Sequence, residues 1–186
     1  MKKKLYNVIF PIWFLMMFPM SWIFVLPANF IIDTIVFFIA LKVFKITTIK
    51  EQYKKCIFKI WIFGFIADML GSVILLLTQF FPSEGILKDI TIAATINPFQ
   101  NIYGFLYVAI ATFVSAVAIY LFNQKIALKK ADIDEKTKKK IALILAIVTA
   151  PYVFFFPAKS LYDQSIMDVE GNLVEEQIIC EYVVDR

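Results

Sequence analysis

An all-α fold, a polytopic bundle of transmembrane helices, is what the sequence predicts. Hydrophobic residues make up 61% of the 186 positions, above the roughly one half usual for soluble domains. They gather into runs of about twenty, without the alternation of a half-buried strand or the helical period of a soluble amphipathic helix. Short Lys-rich segments separate the runs. In hydrocarbon every backbone N–H and C=O must be paired within the segment or within a closed barrel, and without alternation the barrel is excluded.

The first run extends from about Leu5 to Phe44, far longer as one helix than the roughly 30 Å hydrocarbon core allows. A break is therefore required. Leu26-Pro27-Ala28-Asn29 offers one, since Pro disfavours helix in the residue before it and Asn29 is a good N-cap. This gives a tight hairpin of two spans, about Tyr6 to Leu26 and about Phe30 to Phe44, the first kinked by Pro11 and Pro19. A second arrangement breaks at Pro19. The first part is then a re-entrant or surface-lying segment, and a long span runs from about Met20 to Phe44. Met1-Lys2-Lys3-Lys4 opens the chain like a signal peptide, but the apolar stretch is too long and lacks a small-residue cleavage site, so it is read as retained.

Lys45 to Lys55 is polar, and Cys56 to Phe81 is the next span, ended by Pro82-Ser83-Glu84-Gly85. Ile86 to Asn97 carries Lys88 and Asp89, too short and too polar to cross, and suits an amphipathic helix along the interface. Pro98 stands where a helix begins, and the span continues through Phe122 with Gly104, Ala109, Ala111, Ser115 and Ala118 as small residues that let backbones approach in lipid. Asn123 to Lys140 is polar and basic, with Asp132-Ile133-Asp134 as turn and cap. Ile141 to about Phe156 is the last span, kinked near Pro151. This makes about five spans, or four plus a re-entrant segment. Residues 1–157 form the helical domain. Residues 158–186 form an acidic tail in which alternation around Glu170-Gly171-Asn172 suggests a β-hairpin.

Lysine placement sets the orientation. Lys and Arg number three at the N-terminus, six from Lys42 to Lys59 and seven from Lys125 to Lys140, against one between Pro82 and Asn97 and two in the tail. Cytoplasmic loops carry the positive excess, so the N-terminus is expected in the cytoplasm and the tail outside a cell membrane. Cys56 and Cys180 then face opposite sides, and no disulfide joins them. The 19 basic residues, all Lys except Arg186, lie between apolar runs and not on a face interleaved with aromatics, which excludes nucleic acid as a partner. Such Lys, Ile and Phe usage is typical of AT-rich bacterial coding. The lipid bilayer is the expected partner, with a membrane protein or a second copy as further candidates.

Each charge inside the hydrocarbon costs about 2.5–3.5 kcal/mol on insertion scales and calls for a reason. Two residues qualify, Asp68 and Asp33. Asp68 is mid-span with Gly64, Gly71 and Ser72 at helical spacing, a small-residue face on which a carboxylate can bind a proton or a cation. A structural role, hydrogen-bonded to a neighbouring helix, is the alternative. Asp33 follows the presumed cap Asn29 by four residues and reads as a helix-start carboxylate. If the break is at Pro19, however, Asp33 moves toward mid-membrane and approaches Asp68, and two carboxylates at one depth form an ion site. Asn97, Gln100, Asn101, Tyr103 and Tyr107 line the start of a span, either facing a cavity or anchoring the helix end. Trp13, Trp22 and Trp61 read as packing or lipid-facing residues, and the Lys-rich loops as orienting signals that also suit anionic headgroups.

The sequence contains no His and no HExxH, GxSxG, Walker A or paired CxxC motif, and the surroundings of Asp33 and Asp68 do not match intramembrane aspartyl proteases. No cofactor or metal is implied. The expected role is a small, non-catalytic polytopic protein, an accessory, assembly or immunity-type factor. The alternative is a transporter or channel subunit with an intramembrane carboxylate that binds a proton or cation.

Overall fold

A computed structural model describes residues 12–17, 19–82 and 84–158. Lys2 to Lys4, Cys180 and the proposed hairpin of the acidic tail lie outside the described residues.

Among the described residues the chain is a helical bundle without strands. Its main helices are α1 (Trp22–Val43), α2 (Ile49–Leu76), α3 (Gly85–Thr95), α4 (Ile102–Phe122) and α5 (Glu135–Val148). Short 3₁₀ turns cover Ile12–Met17, Leu77–Phe80, Pro98–Gln100 and Tyr152–Phe155, and Asn123–Ala127 is a π-helical turn. Three helical stretches are long and apolar enough to cross a membrane: Trp22–Val43, Ile49–Phe80 and Ile102–Lys130. The expected count of about five is not reached within the described residues.

The hairpin at Leu26-Pro27-Ala28-Asn29 does not form, because α1 runs unbroken through Pro27. Pro27 falls in the second turn of the helix, where its missing N–H deprives one carbonyl, that of Ile23, of its helical donor. Neighbouring helices tolerate such a Pro by supplying other contacts. Here the Trp61 indole donates to the adjacent Leu26 carbonyl at 2.9 Å, and Asn29, rather than capping a new helix, gives its amide to Asp68. The chain instead turns at residues 19–21 before entering α1, as in the arrangement that breaks at Pro19. Of the segment before that turn, residues 12–17 lie against the bundle. Trp13 is 2% exposed and donates from its indole to the Ala94 carbonyl at 2.9 Å.

The last span also departs from expectation. Asp134 accepts from the Thr137 N–H at 2.9 Å and starts α5 earlier, at Glu135. The helix then ends at Val148, after 14 residues, or about 21 Å. Pro151 explains the end. It has no N–H to offer the Ile147 carbonyl, and it forces Ala150 out of the helical region. The Tyr152 hydroxyl takes over the Ile147 carbonyl, and the Tyr152 N–H turns back to Ala150 at 2.7 Å.

α2 is the centre of the bundle, with α1 on one side and α4 on the other, while α4 also carries α3 and α5. One apolar core lies toward the Lys-rich end, where Phe37, Leu41, Ile60, Ile119, Leu128, Ile141 and Leu145 are buried. A second lies toward α3, with Trp13, Leu75, Val108 and Phe154. Small residues bring α2 against α4. A Cβ built on Gly71 would collide with Ser115 Oγ and stand 3.1 Å from the Ala111 carbonyl oxygen, so glycine is needed there for the approach. Buried Gln52 ties the Lys-rich end together, accepting from the Asp132 N–H at 2.9 Å and donating to Thr48 at 3.0 Å. Outward-facing positions are apolar, with Ile35 and Ile39 of α1 and Ile110 and Phe113 of α4 more than half exposed.

Candidate functional site

α1 and α2 run antiparallel, and midway along their contact each carries a pair of residues four apart: Asn29 and Asp33 on α1, Gly64 and Asp68 on α2. Residues four apart share one helix face. Asn29 stands opposite Asp68, its amide donating to Asp68 Oδ2 at 3.3 Å. Asp33 stands opposite Gly64, where an added Cβ would lie 3.4 Å from Asp33 Oδ2. The two helix faces thus come within contact distance at this point.

Both aspartates are 5% exposed, and both border one cavity of about 260 Å³ that Asn29, Ile32, Gly64 and residues 148–153 complete. At about 30 Å³ per water, this space accommodates several water molecules or a partly hydrated ion. Asp68 Oδ1 is buried and has no hydrogen-bond partner among the described residues. A buried carboxylate oxygen calls for a donor or a cation. No Lys borders the cavity, and Lys138, the one lysine buried among the described residues, pairs with Glu135 at 2.8 Å near the start of α5.

The end of α5 forms the third wall. The Thr149 hydroxyl stands beside the Asp33 carboxyl and donates to the Leu145 carbonyl at 2.8 Å. Among the described residues nothing donates to the carbonyls of Val148 and Thr149, and both residues border the cavity. A helix C-terminus carries partial negative charge. The cavity therefore collects carboxylate, carbonyl, amide and hydroxyl oxygens, a hard donor set suited to a proton or a small hard cation. Among the described residues no group of three or more His, Cys, Asp and Glu is placed to hold a metal.

The polar residues at the start of α4 do not join this cavity. Asn97 accepts from the Phe99 N–H at 3.0 Å. Asn101 caps α4, accepting from the Gly104 N–H at 2.7 Å and donating to the Asp89 carbonyl at 2.9 Å. Tyr107 donates to the Ile74 carbonyl at 2.7 Å, while Gln100 and Tyr103 are exposed. Asn101 and Tyr107 thereby fix the end of α4 against α3 and α2. Sequence reasoning missed Thr149, whose signal is a polar residue two positions before Pro151 in an apolar run. It also read Asn29 as a cap, although its spacing of four from Asp33 places the two on one face.

Compared with known proteins, the chain matches no family model, no curated protein and no solved structure.

Proposed function

We propose that the chain is a multi-pass protein of the cell membrane in which Asp33 and Asp68 together bind a proton or a small cation, as in a transporter or channel subunit. One observation carries this reading: the buried, unpartnered Asp68 Oδ1 borders the same cavity as the Asp33 carboxyl. Two carboxylates that border one small cavity within the membrane repel unless a proton or cation stands between them. A purely structural Asp68 would be satisfied by its neighbours, and Asn29 satisfies one oxygen only. An accessory or assembly factor that acts through helix contacts accounts for the apolar flanks but gives the paired carboxylates no work.

The orientation follows from the lysines. The end of the bundle that carries Lys42 to Lys59 and Lys125 to Lys140 faces the cytoplasm. Phe154, close to the last described residue, packs with Trp13 and Leu75 at the other end, in keeping with a tail that leaves on the outside.

The test is reconstitution in liposomes with a pH-sensitive dye inside and an imposed gradient of Na⁺ or K⁺. Proton or cation flux is expected from the native chain. Asp68→Asn keeps shape and most hydrogen bonding but removes the charge, so flux should fall to the level of empty liposomes with protein abundance unchanged. Equal flux in Asp68→Asn and native protein defeats the reading, and so does native protein that conducts nothing.

A further inference from the structure

Independently of the carboxylate pair, we infer that the groove between α4 and α5 is a binding site for one anionic phospholipid, its acyl chain laid between the helices and its phosphate held by Lys139 and Lys140. The groove has a volume of about 620 Å³. Its floor and sides are apolar, with Ala109, Phe113 and Ala116 from α4 and Leu143 and Ile147 from α5. The alanines at 109 and 116 let the floor sink between larger neighbours.

Its ends are unlike. At one end stand Lys139, Lys140 and Tyr120, and at the other the aromatic side chains of Tyr152 and Phe155. From Tyr120 to Ala109 the groove runs about 17 Å along α4, close to the roughly 15 Å of hydrocarbon in one leaflet. An acyl chain therefore fits with its headgroup level with the lysines and its terminus near mid-membrane.

Charge selects the headgroup. Lys138 is neutralised by Glu135 at 2.8 Å, but Lys139 and Lys140 form no ion pair with a described residue and are exposed. The Lys140 ammonium lies 5.9 Å from the centre of the Phe44 ring, a cation–π contact that holds it toward the bundle but leaves its charge uncompensated. Two such cations at the mouth of an apolar slot match a phosphate diester with one net negative charge and do not match a zwitterion. Basic pockets between membrane helices bind anionic headgroups on this principle.

The experiment is native mass spectrometry of the full chain in detergent, titrated with phosphatidylglycerol or phosphatidylcholine of equal chain length. Phosphatidylglycerol should bind about tenfold or more tightly than phosphatidylcholine, from the contribution of two lysines near a phosphate. Lys139→Gln with Lys140→Gln should abolish the difference, and both side chains are exposed, so folding is not at risk. Lys129→Gln with Lys130→Gln removes equal charge outside the groove and should preserve the difference. Ala116→Trp fills the groove and should weaken both lipids. The proposal is overturned by a preference that survives loss of Lys139 and Lys140, by one that falls equally with Lys129 and Lys130, or by glycerol phosphate competing as well as the intact lipid.

Discussion

Gly71→Ala should destabilise the bundle, and the structure sets the size of the effect. A methyl at this position would meet Ser115 Oγ, would stand 2.7 Å from Phe154 Cε2 and 3.1 Å from the Ala111 carbonyl oxygen. The Phe154 ring and the Ser115 hydroxyl can turn aside. The Ala111 oxygen belongs to the backbone of α4, so the helices must separate. Overpacking of this kind costs about 1–3 kcal/mol, and the fixed backbone contact favours about 3. Alanine gains about 1 kcal/mol over glycine in helix propensity, leaving a net loss of about 2 kcal/mol, or roughly thirtyfold in the folded-to-unfolded ratio. Gly64→Ala is the control. Its methyl would lie 3.4 Å from Asp33 Oδ2, an ordinary contact, so propensity dominates and stability should be unchanged or rise by up to about 1 kcal/mol. Reversible unfolding in mixed micelles, followed by circular dichroism against the fraction of denaturing detergent, measures both. Equal midpoints for Gly71→Ala and the native chain would refute the close approach of α2 and α4.

Trp13→Phe keeps most of the ring in place but removes the donor to the Ala94 carbonyl, and the same assay should show a loss of about 1–3 kcal/mol for the orphaned acceptor. At the start of α5, the Thr137 N–H beside Asp134 holds its carboxyl below the ordinary 3.8. A depressed carboxyl stabilises the fold fully above its unfolded value and loses that contribution as pH falls through the folded value. The melting temperatures of native protein and Asp134→Ala should therefore differ at neutral pH and converge below about pH 4; a constant gap would remove the cap. Cys56 is wholly buried, so a membrane-permeant maleimide should label it only as fast as the bundle opens, whereas an impermeant one applied to intact cells should label Cys180. Rapid labelling of native Cys56 would contradict the packing of α2.

The parts of the fold legible in the sequence are those set by local chemistry. Residues 56–81 and 98–122 are long apolar runs, and α2 and α4 are built on them, although α2 already starts at Ile49 in the stretch read as polar and α4 only at Ile102. Asp134 is followed by Glu135 and a Lys-rich first turn, and it caps α5. Gly64, Gly71 and Ser72 at helical spacing from Asp68 announce a packed face, and all are buried. Pro27 was misleading because its effect depends on context: alone it favours a break, but within the packed α1 it costs one carbonyl its donor and the helix runs on. The same dependence displaced Asn29, whose amide is drawn to a carboxyl 39 residues away. Once α1 is continuous, Asp33 moves from a helix start to mid-helix, and with the chain turning at Pro19 it borders one cavity with Asp68. Thr149 could not be placed beforehand, because the end of α5 depends on Tyr152 replacing the donor that Pro151 lacks.

The early stop of α5 gives one side of the carboxylate chamber a different construction from the others. Towards α1 and α2 the wall is continuous helix. Towards residues 150–155 it is a short turn, held by Tyr152 N–H to Ala150, Phe154 N–H to Pro151 and the Tyr152 hydroxyl to Ile147, each worth about 0.5–1.5 kcal/mol net, and by the packing of Phe154 against Trp13 and Leu75. Tyr152 and Val153 are the exposed side chains of this turn that border the chamber, so access to the two aspartates is expected past them. A bulkier residue at position 152 or 153 is expected to restrict access to the proposed carboxylate site without replacing either acid.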